Sequence, residues 1–383
     1  MLTNSDIAEL TAFRRDLHRF PEVSREELVT AGRVVAALGA LRPDQVVTGL
    51  GGHGVAAVFE GAKPGPGILF RCELDALPIH EITDAPHRST IDGKGHLCGH
   101  DGHMTILLAL GRLLSRQRPA TGRVILMFQP AEEDGSGAAA VVADPKYAAL
   151  RPDWAFSLHN MPGCKLGECW LADGPVNCAS VGMKIALEGK TSHAAQPEFG
   201  TSPGLALARL IPALGALGPG GDLGPDYRLA TVTHANLGEP AFGIAPGYGE
   251  VWVTLRTMTD GPMAALRAEA EALVAAEAAA HGLTVTITYH DDFGASINDP
   301  EATAQLARAF DALGIRYSIG DLPERASEDF GRFSNVTGTK GAMFFLGAGL
   351  DHPALHNPDY DFPDSLIPIG ARVFERVTRQ ICG

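Results

Sequence analysis

The stretch Arg123-Val124-Ile125-Leu126-Met127-Phe128-Gln129 is a short apolar run between Gly122 and Pro130, and it reads as a β-strand. Before it, His103 to Gln117 carries apolar residues at helical spacing, and before that helix Gly67 to Cys72 is a second apolar run. Val55 to Phe59 and Asp153 to Leu158 extend the series on either side. Strands that alternate with helices imply a largely parallel α/β sheet. Two helices, Asp6 to Arg19 and Arg25 to Leu38, open the chain; the break between them falls at Phe20-Pro21, where proline disfavours helix continuation.

After Cys178 the pattern changes. Val181 to Glu188 alternates like a half-exposed strand, Pro203 to Leu217 reads as a helix, and Tyr227 to Thr233 and Glu250 to Thr257 read as strands. An Ala/Glu-rich helix, Met263 to His281, leads into a strand from Leu283 to Tyr289. This β-α-β-β-α-β order suits a ferredoxin-like layer of four antiparallel strands and two helices. The expected organisation is therefore an α/β domain made of 1–178 and 292–383, interrupted by an α+β insertion at 179–291. The returning segment adds a helix from about Pro300 to Leu313, a strand at Ala342 to Leu346 and a last helix from Asp364 to Gln380.

At 383 residues the chain is long enough for two domains and a buried site. A formal charge of −14 argues against nucleic acid, which demands a concentrated Lys/Arg surface, and points to a small-molecule or peptide partner. Met1 to Ala12 lacks the basic start and apolar core of a signal peptide, and no stretch reaches 18 apolar residues. A cytoplasmic protein with no membrane contact is the expectation. The six cysteines show neither the density of a disulfide framework nor a C-x-x-C pair, so reduced thiols are expected, Cys164 and Cys169 being the one conceivable pair.

The strongest local signal is Gly95-His96-Leu97-Cys98-Gly99-His100-Asp101-Gly102-His103. A thiol and an imidazole two residues apart in an extended loop can converge on one divalent ion, and both suit zinc and its neighbours. Farther on, the strand at 124–128 runs out into Gln129-Pro130-Ala131-Glu132-Glu133, and open α/β sheets place their sites at such carboxyl ends. Of two adjacent glutamates one can hold metal while the other takes a proton from water that the metal acidifies. His159 and His356 end a strand and a loop in the same manner.

As an ordered set over nearly the whole chain, these motifs resemble the metallopeptidase family that contains aminoacylase, glutamate carboxypeptidase and succinyl-diaminopimelate desuccinylase. The likeness is greatest to its amidohydrolase branch of hippurate and auxin-conjugate hydrolases. It rests on Arg14-Arg15-Asp16-Leu17-His18 with Pro21-Glu22, Leu74-Asp75-Ala76-Leu77-Pro78, the Cys98 to His103 loop and Gln129 to Glu133. Ser192-His193-Ala194-Ala195, Ser327-Glu328-Asp329-Phe330 and the segment from His356 to Asp364 complete it. The resemblance implies two divalent ions per subunit held by Cys98, His100, Glu133, His159 and His356. Mixed thiolate, imidazole and carboxylate donors admit zinc or manganese first, cobalt or nickel also. It further implies Glu132 as the general base, Asp75 as a carboxylate supporting the ligands, and His193 as the group that polarises the scissile carbonyl, commonly in a neighbouring subunit of a homodimer. Arg256 is implied in substrate-carboxylate or dimer contacts, while His96, Asp101 and His103 match without direct ligation.

The activity implied is hydrolysis of an N-acyl amino acid or similar small amide. A dipeptidase or carboxypeptidase uses the same machinery and is the neighbouring alternative. A catalytically silent binding protein would have lost a ligand or the proton shuttle, whereas all five ligand positions and Glu132 are filled. A structural zinc site would want four Cys and His ligands at short spacing. Three positions depart from the branch: Glu73 stands in place of Asp, Glu198 in place of His, and Gly243 in place of Asn. These departures bear on substrate more than on chemistry.

Overall fold

The computed structural model describes residues 1–334 and 338–383. In chain order the principal elements are α1 (Asn4–Arg19), α2 (Leu28–Gly39), β1 (Gln45–Leu50), β2 (Gly54–Glu60), β3 (Lys63–Glu73), α3 (His100–Arg116), β4 (Thr121–Gln129), α4 (Gly137–Ala143), β5 (Trp154–Pro162) and β6 (Cys169–Trp170). There follow β7 (Ala179–Glu188), α5 (Gly204–Ala216), β8 (Arg228–Leu237), β9 (Tyr248–Thr257), α6 (Asp260–Ala280) and β10 (Thr284–Phe293). The chain closes through α7 (Pro300–Leu313), β11 (Tyr317–Ser318), β12 (Lys340–Gly349) and α8 (Ile367–Cys382). Two compact units result: Met1–Val176 with Ser296–Leu322 and Asp329–Gly383, and Asn177–Ala295 with Pro323–Glu328.

The first unit is built on an eight-stranded sheet in the order β1-β2-β4-β3-β5-β12-β6-β11. Its four central strands, β4, β3, β5 and β12, are mutually parallel. The apolar runs hardly alternate with polar residues because both faces are covered. Phe70, Cys72, Leu126, Phe128 and Phe156 pack in the cluster that takes in α1, α3 and α8, while Leu69, Ile125, Met127 and Ala155 pack in the one that takes in α4. Parallel pairing sets Glu73 beside Gln129 and His159 beside Phe345, so the polar ends of three strands open on the same edge. Helix α3 is buried along most of its length. The expected parallel α/β core is therefore present; among the strands that sequence reading passed over, β1 is a mostly exposed edge.

The start of α1 is fixed by a capping box. Thr3 Oγ1 accepts from the Asp6 N–H at 3.2 Å and the Asp6 carboxylate accepts from the Thr3 N–H at 2.7 Å. The same carboxylate receives Arg116 at 2.7 Å and Arg112 at 3.1 Å from α3, which clamps the first helix to the one that begins at His100.

In the second unit the four strands pair antiparallel in the order β8-β9-β7-β10. Val181, Met183, Ile185 and Leu187 of β7 point to one face, where Leu207, Leu210 and Leu214 of α5 and Leu266, Ala270 and Val274 of α6 cover them. This is the ferredoxin-like layer expected from the order of elements. Pro323–Glu328 joins it because Cys178 N–H donates to the Glu324 carbonyl at 3.3 Å and Arg256 Nη1 donates to the Arg325 carbonyl at 3.0 Å and to Ser327 Oγ at 2.8 Å. All six cysteines are buried and unpaired, Cys164 and Cys169 included. Among the described residues no helix is long and apolar enough to cross a membrane.

Asp6→Ala removes the side-chain half of the capping box and the partner of two arginines, while the bond from the residue 6 N–H to Thr3 Oγ1 remains. We expect it to lower stability by about 1–2 kcal/mol at neutral pH, read by urea unfolding. Arg116 holds the Asp6 carboxyl well below the ordinary range, so the stabilisation is present above pH about 4 and is lost as pH falls further. The gap between wild type and variant should accordingly narrow in acid.

Candidate metal centre

The carboxyl ends of β3, β4 and β5 and the amino end of α3 deliver the candidate residues. Asp75 follows β3, Glu132 and Glu133 follow β4, His159 lies near the end of β5, and Cys98 and His100 flank Gly99 at the start of α3. The turn after β4 is forced: Ala131 has φ 48°, its N–H donates to Glu27 at 2.8 Å, and a Cβ on Gly137 would lie 1.6 Å from the Pro130 carbonyl oxygen. Only a glycine at 137 lets the chain fold back and present both glutamates.

Hydrogen bonds then fix which atoms face inward. His100 Nδ1 donates to the Asp75 carbonyl at 2.9 Å, which leaves its Nε2 facing inward, 3.8 Å from Glu132 Oε2 and 3.8 Å from Glu133 Oε1. His159 Nδ1 donates to the Asn160 carbonyl at 2.8 Å, and its Nε2 lies 3.4 Å from Cys98 Sγ. Half-exposed His356 brings Nε2 to 3.6 Å from Glu133 Oε2. Asp75 Oδ2 accepts from the Glu133 N–H at 2.9 Å and from Ser24 Oγ at 2.7 Å, so it holds the glutamate from behind.

Ligand atoms of Cys98, His100 and His159 lie within 4.8 Å of one another, and so do those of Cys98, Glu133 and His356. Two cation positions sharing Cys98 are thereby outlined. A third group, His100 with Glu132 and Glu133, places Glu132 beside one of them.

The electrostatics fit such cations. His100 Nε2 and Glu133 Oε1 are buried without a hydrogen-bond partner. Burial pushes the Glu133 carboxyl up to about 7, and burial with the neighbouring Glu133 and Glu132 pushes the Cys98 thiol far above its usual range. Burial opposes charge on His100, yet Glu73, Asp75 and Glu133 outweigh it and lift the imidazole to about 10. Burial lowers His159 to about 3, which keeps a neutral imidazole available. These donors hold protons that a divalent ion would replace, and thiolate, imidazole and carboxylate together suit transition metals.

Other motif residues build the surroundings. Arg14 Nε and His18 Nδ1 each meet Asp101 at 2.8 Å, which anchors α1 to the residue next to His100. Burial works against a charged His18, but Asp101 and Glu81 raise it to about 9. His96 is buried with both ring nitrogens unpartnered, and burial lowers it to about 3. His193 and Arg256 lie in the second unit. His193 is exposed on a two-residue ribbon paired with Ile244–Ala245, and its Nδ1 accepts from the Ala195 N–H at 3.0 Å, leaving Nε2 as a donor. Gly243 closes that ribbon by accepting from Ala194 N–H at 3.0 Å. Arg256 has no carboxylate within ion-pair distance among the described residues.

Sequence reading missed the buried Arg71, which pairs with Glu73 and, at 2.5 Å, with Asp329, and donates to Gln129 at 2.7 Å. The signal was a charge inside the apolar run Gly67 to Cys72. Glu73, noted only as a departure, accepts from His103 Nδ1 at 2.6 Å directly behind the ligand helix.

Against known proteins, the model for peptidase family M20/M25/M40 matches residues 69–380. The chain belongs to that family. Among its relatives is N-acetyl-L-cysteine deacetylase of Bacillus subtilis, 30% identical with 94% of this chain and 85% of that protein covered. A putative aminohydrolase from methicillin-resistant Staphylococcus aureus superposes with a TM-score of 0.86 at 26% identity, covering 99% of this chain and 97% of the other. The fold is shared with the Bacillus subtilis YXEP protein, a dinuclear metal-binding peptidase, at a TM-score of 0.82 and 23% identity over 100% of this chain and 99% of that one. The M20/M25/M40 chain described here is thus a metal-dependent hydrolase of amide or peptide bonds.

Loading the metal-free protein should release protons from Cys98 and His100. At pH 7 we expect about two or more per chain, measured with an indicator dye or by calorimetry in buffers of different ionisation enthalpy. Cys98→Ser should release about one fewer. Proton-neutral binding would contradict this donor set.

Proposed function

We propose that the protein hydrolyses N-acyl amino acids at a dinuclear centre formed by Cys98, His100, Glu133, His159 and His356. The carrying observation is that His100 Nε2 and Glu133 Oε1, 3.8 Å apart, are both buried without a hydrogen-bond partner. Zinc or manganese is the expected occupant, and when bound would supply charge for the developing oxyanion and acidify water.

The residues divide the work by position. Glu133 groups with Cys98 and His356 as well as with His100 and is braced by Asp75, so it serves as a ligand. Glu132 belongs with His100 but not with Cys98, and is the base that takes the proton of the attacking water and returns it to the leaving amine. His193 offers an Nε2–H to the scissile carbonyl oxygen as charge develops there. Arg256, a guanidinium without a carboxylate partner, takes the carboxylate of the amino acid. The exposed ribbon that carries His193 supports its use across a homodimer, and six unpaired thiols support a cytoplasmic setting.

A panel of N-acyl amino acids, matched amides lacking the carboxylate, and dipeptides tests the substrate class. Turnover of dipeptides alone would replace this reading by a peptidase one. Glu132→Gln should retain metal but lose at least roughly a hundredfold in kcat, whereas Glu133→Gln should lose metal. The reverse pair of phenotypes would exchange the two roles. Arg256→Ala should raise KM for acyl amino acids and leave the amides lacking a carboxylate unchanged.

A further inference from the structure

We infer that Asn160 is a positioning residue for the metal centre, its side-chain amide tying together the segments that carry the candidate ligands. This rests on the reading of that centre as a site for divalent metal. Asn160 is fully buried on β5, next to His159, and its own carbonyl accepts the His159 Nδ1 proton. One end of its amide lies 2.5 Å from His103 Nε2, one turn beyond His100 on α3. The other end lies 2.6 Å from the hydroxyl of Tyr360, a buried residue four positions after His356. The ligand loop is pressed on the same group: Gly99, between Cys98 and His100, has φ 91°, and a Cβ there would lie 2.3 Å from Asn160 Oδ1.

One amide on β5 therefore touches the Cys98 to His100 loop with the helix α3 that follows it, and the segment after His356. Those two stretches are far apart in sequence from each other and from β5. Asparagine suits the place because its two ends differ, a donor and an acceptor, and can serve His103 and Tyr360 together. Leucine has the same branching at Cγ and offers neither. His103 cannot turn away to compensate, since its Nδ1 is committed to Glu73, itself held by Arg71. The amide thus sets the spacing between His159 and His100 through bonds that exist without metal. Partners behind a ligating histidine commonly change metal affinity by about 10–100-fold.

The test is Co2+ titration of metal-free wild type, Asn160→Leu and Tyr360→Phe, followed by visible absorption, with circular dichroism and thermal melting of the metal-free proteins. Asn160→Leu should bind Co2+ about 10–100-fold more weakly, with altered ligand-field bands in the cobalt form. Tyr360→Phe, which removes one hydroxyl, should weaken binding about tenfold and carries the test if Asn160→Leu does not fold. A lowered melting point with wild-type Co2+ affinity and spectrum in either folded variant would show a merely structural residue and overturn the inference. Wild-type protein that takes up no Co2+ would instead overturn the metal-centre reading beneath it.

Discussion

His100 donates its Nδ1 proton to the carbonyl of Asp75, and the rest of the site is arranged around that bond. With Nδ1 committed, the buried Nε2 faces Glu132 and Glu133 and is the nitrogen whose proton a cation would replace. Three electron-rich atoms confined together repel unless a cation or protons join them. The protein accepts that conflict at the carboxyl edge of its most rigid element, four parallel strands buried on both faces. The energy that makes the site poor as a resting polar cluster is what makes it a metal receptor.

Holding such groups in place demands further buried charge, and each of these is paired. Arg14 and His18 neutralise Asp101 behind the ligand loop; despite its burial they keep that carboxyl well below the usual range. Arg71 pairs with Glu73 and Asp329 behind the strand ends. Breaking one partner of a buried pair leaves an uncompensated charge, so these networks carry positional information at a high cost of change. They also explain why motifs distant in sequence, such as Arg14 to His18, accompany the ligands: their side chains meet the residue that follows His100.

Much of the fold was legible because its signals are local. Apolar runs at β3, β4 and β5 are visible over six or seven residues each and the periodicity of α3 over 15, and the switch to alternation after Cys178 marks the second unit. The Cys98 to His100 loop and the Glu132-Glu133 pair stood out in the sequence because thiol, imidazole and carboxylate fall at a helix start and a strand end, and the structure brings their side chains together. What escaped was set by tertiary contact. Glu73 was seen as an unusual residue without a partner, since its partners, Arg71 and His103, are chosen by the parallel register and the start of α3. Asn160 and Tyr360 carried no signal, because an isolated Asn or Tyr is ordinary until folding sets them 2.6 Å apart. The attachment of 323–328 to the second unit is likewise a matter of hydrogen bonds to Cys178 and Arg256.

The proposed centre would hold two cations that share the Cys98 thiolate. Anomalous diffraction from crystals grown with Zn2+, recorded on both sides of the zinc absorption edge, examines this directly. Two peaks about 3.5–4 Å apart are expected, one within bonding reach of His100 and His159, the other of Glu133 and His356, with Cys98 Sγ reaching both. A single peak, or peaks that leave Cys98 or Glu133 uncoordinated, would contradict it.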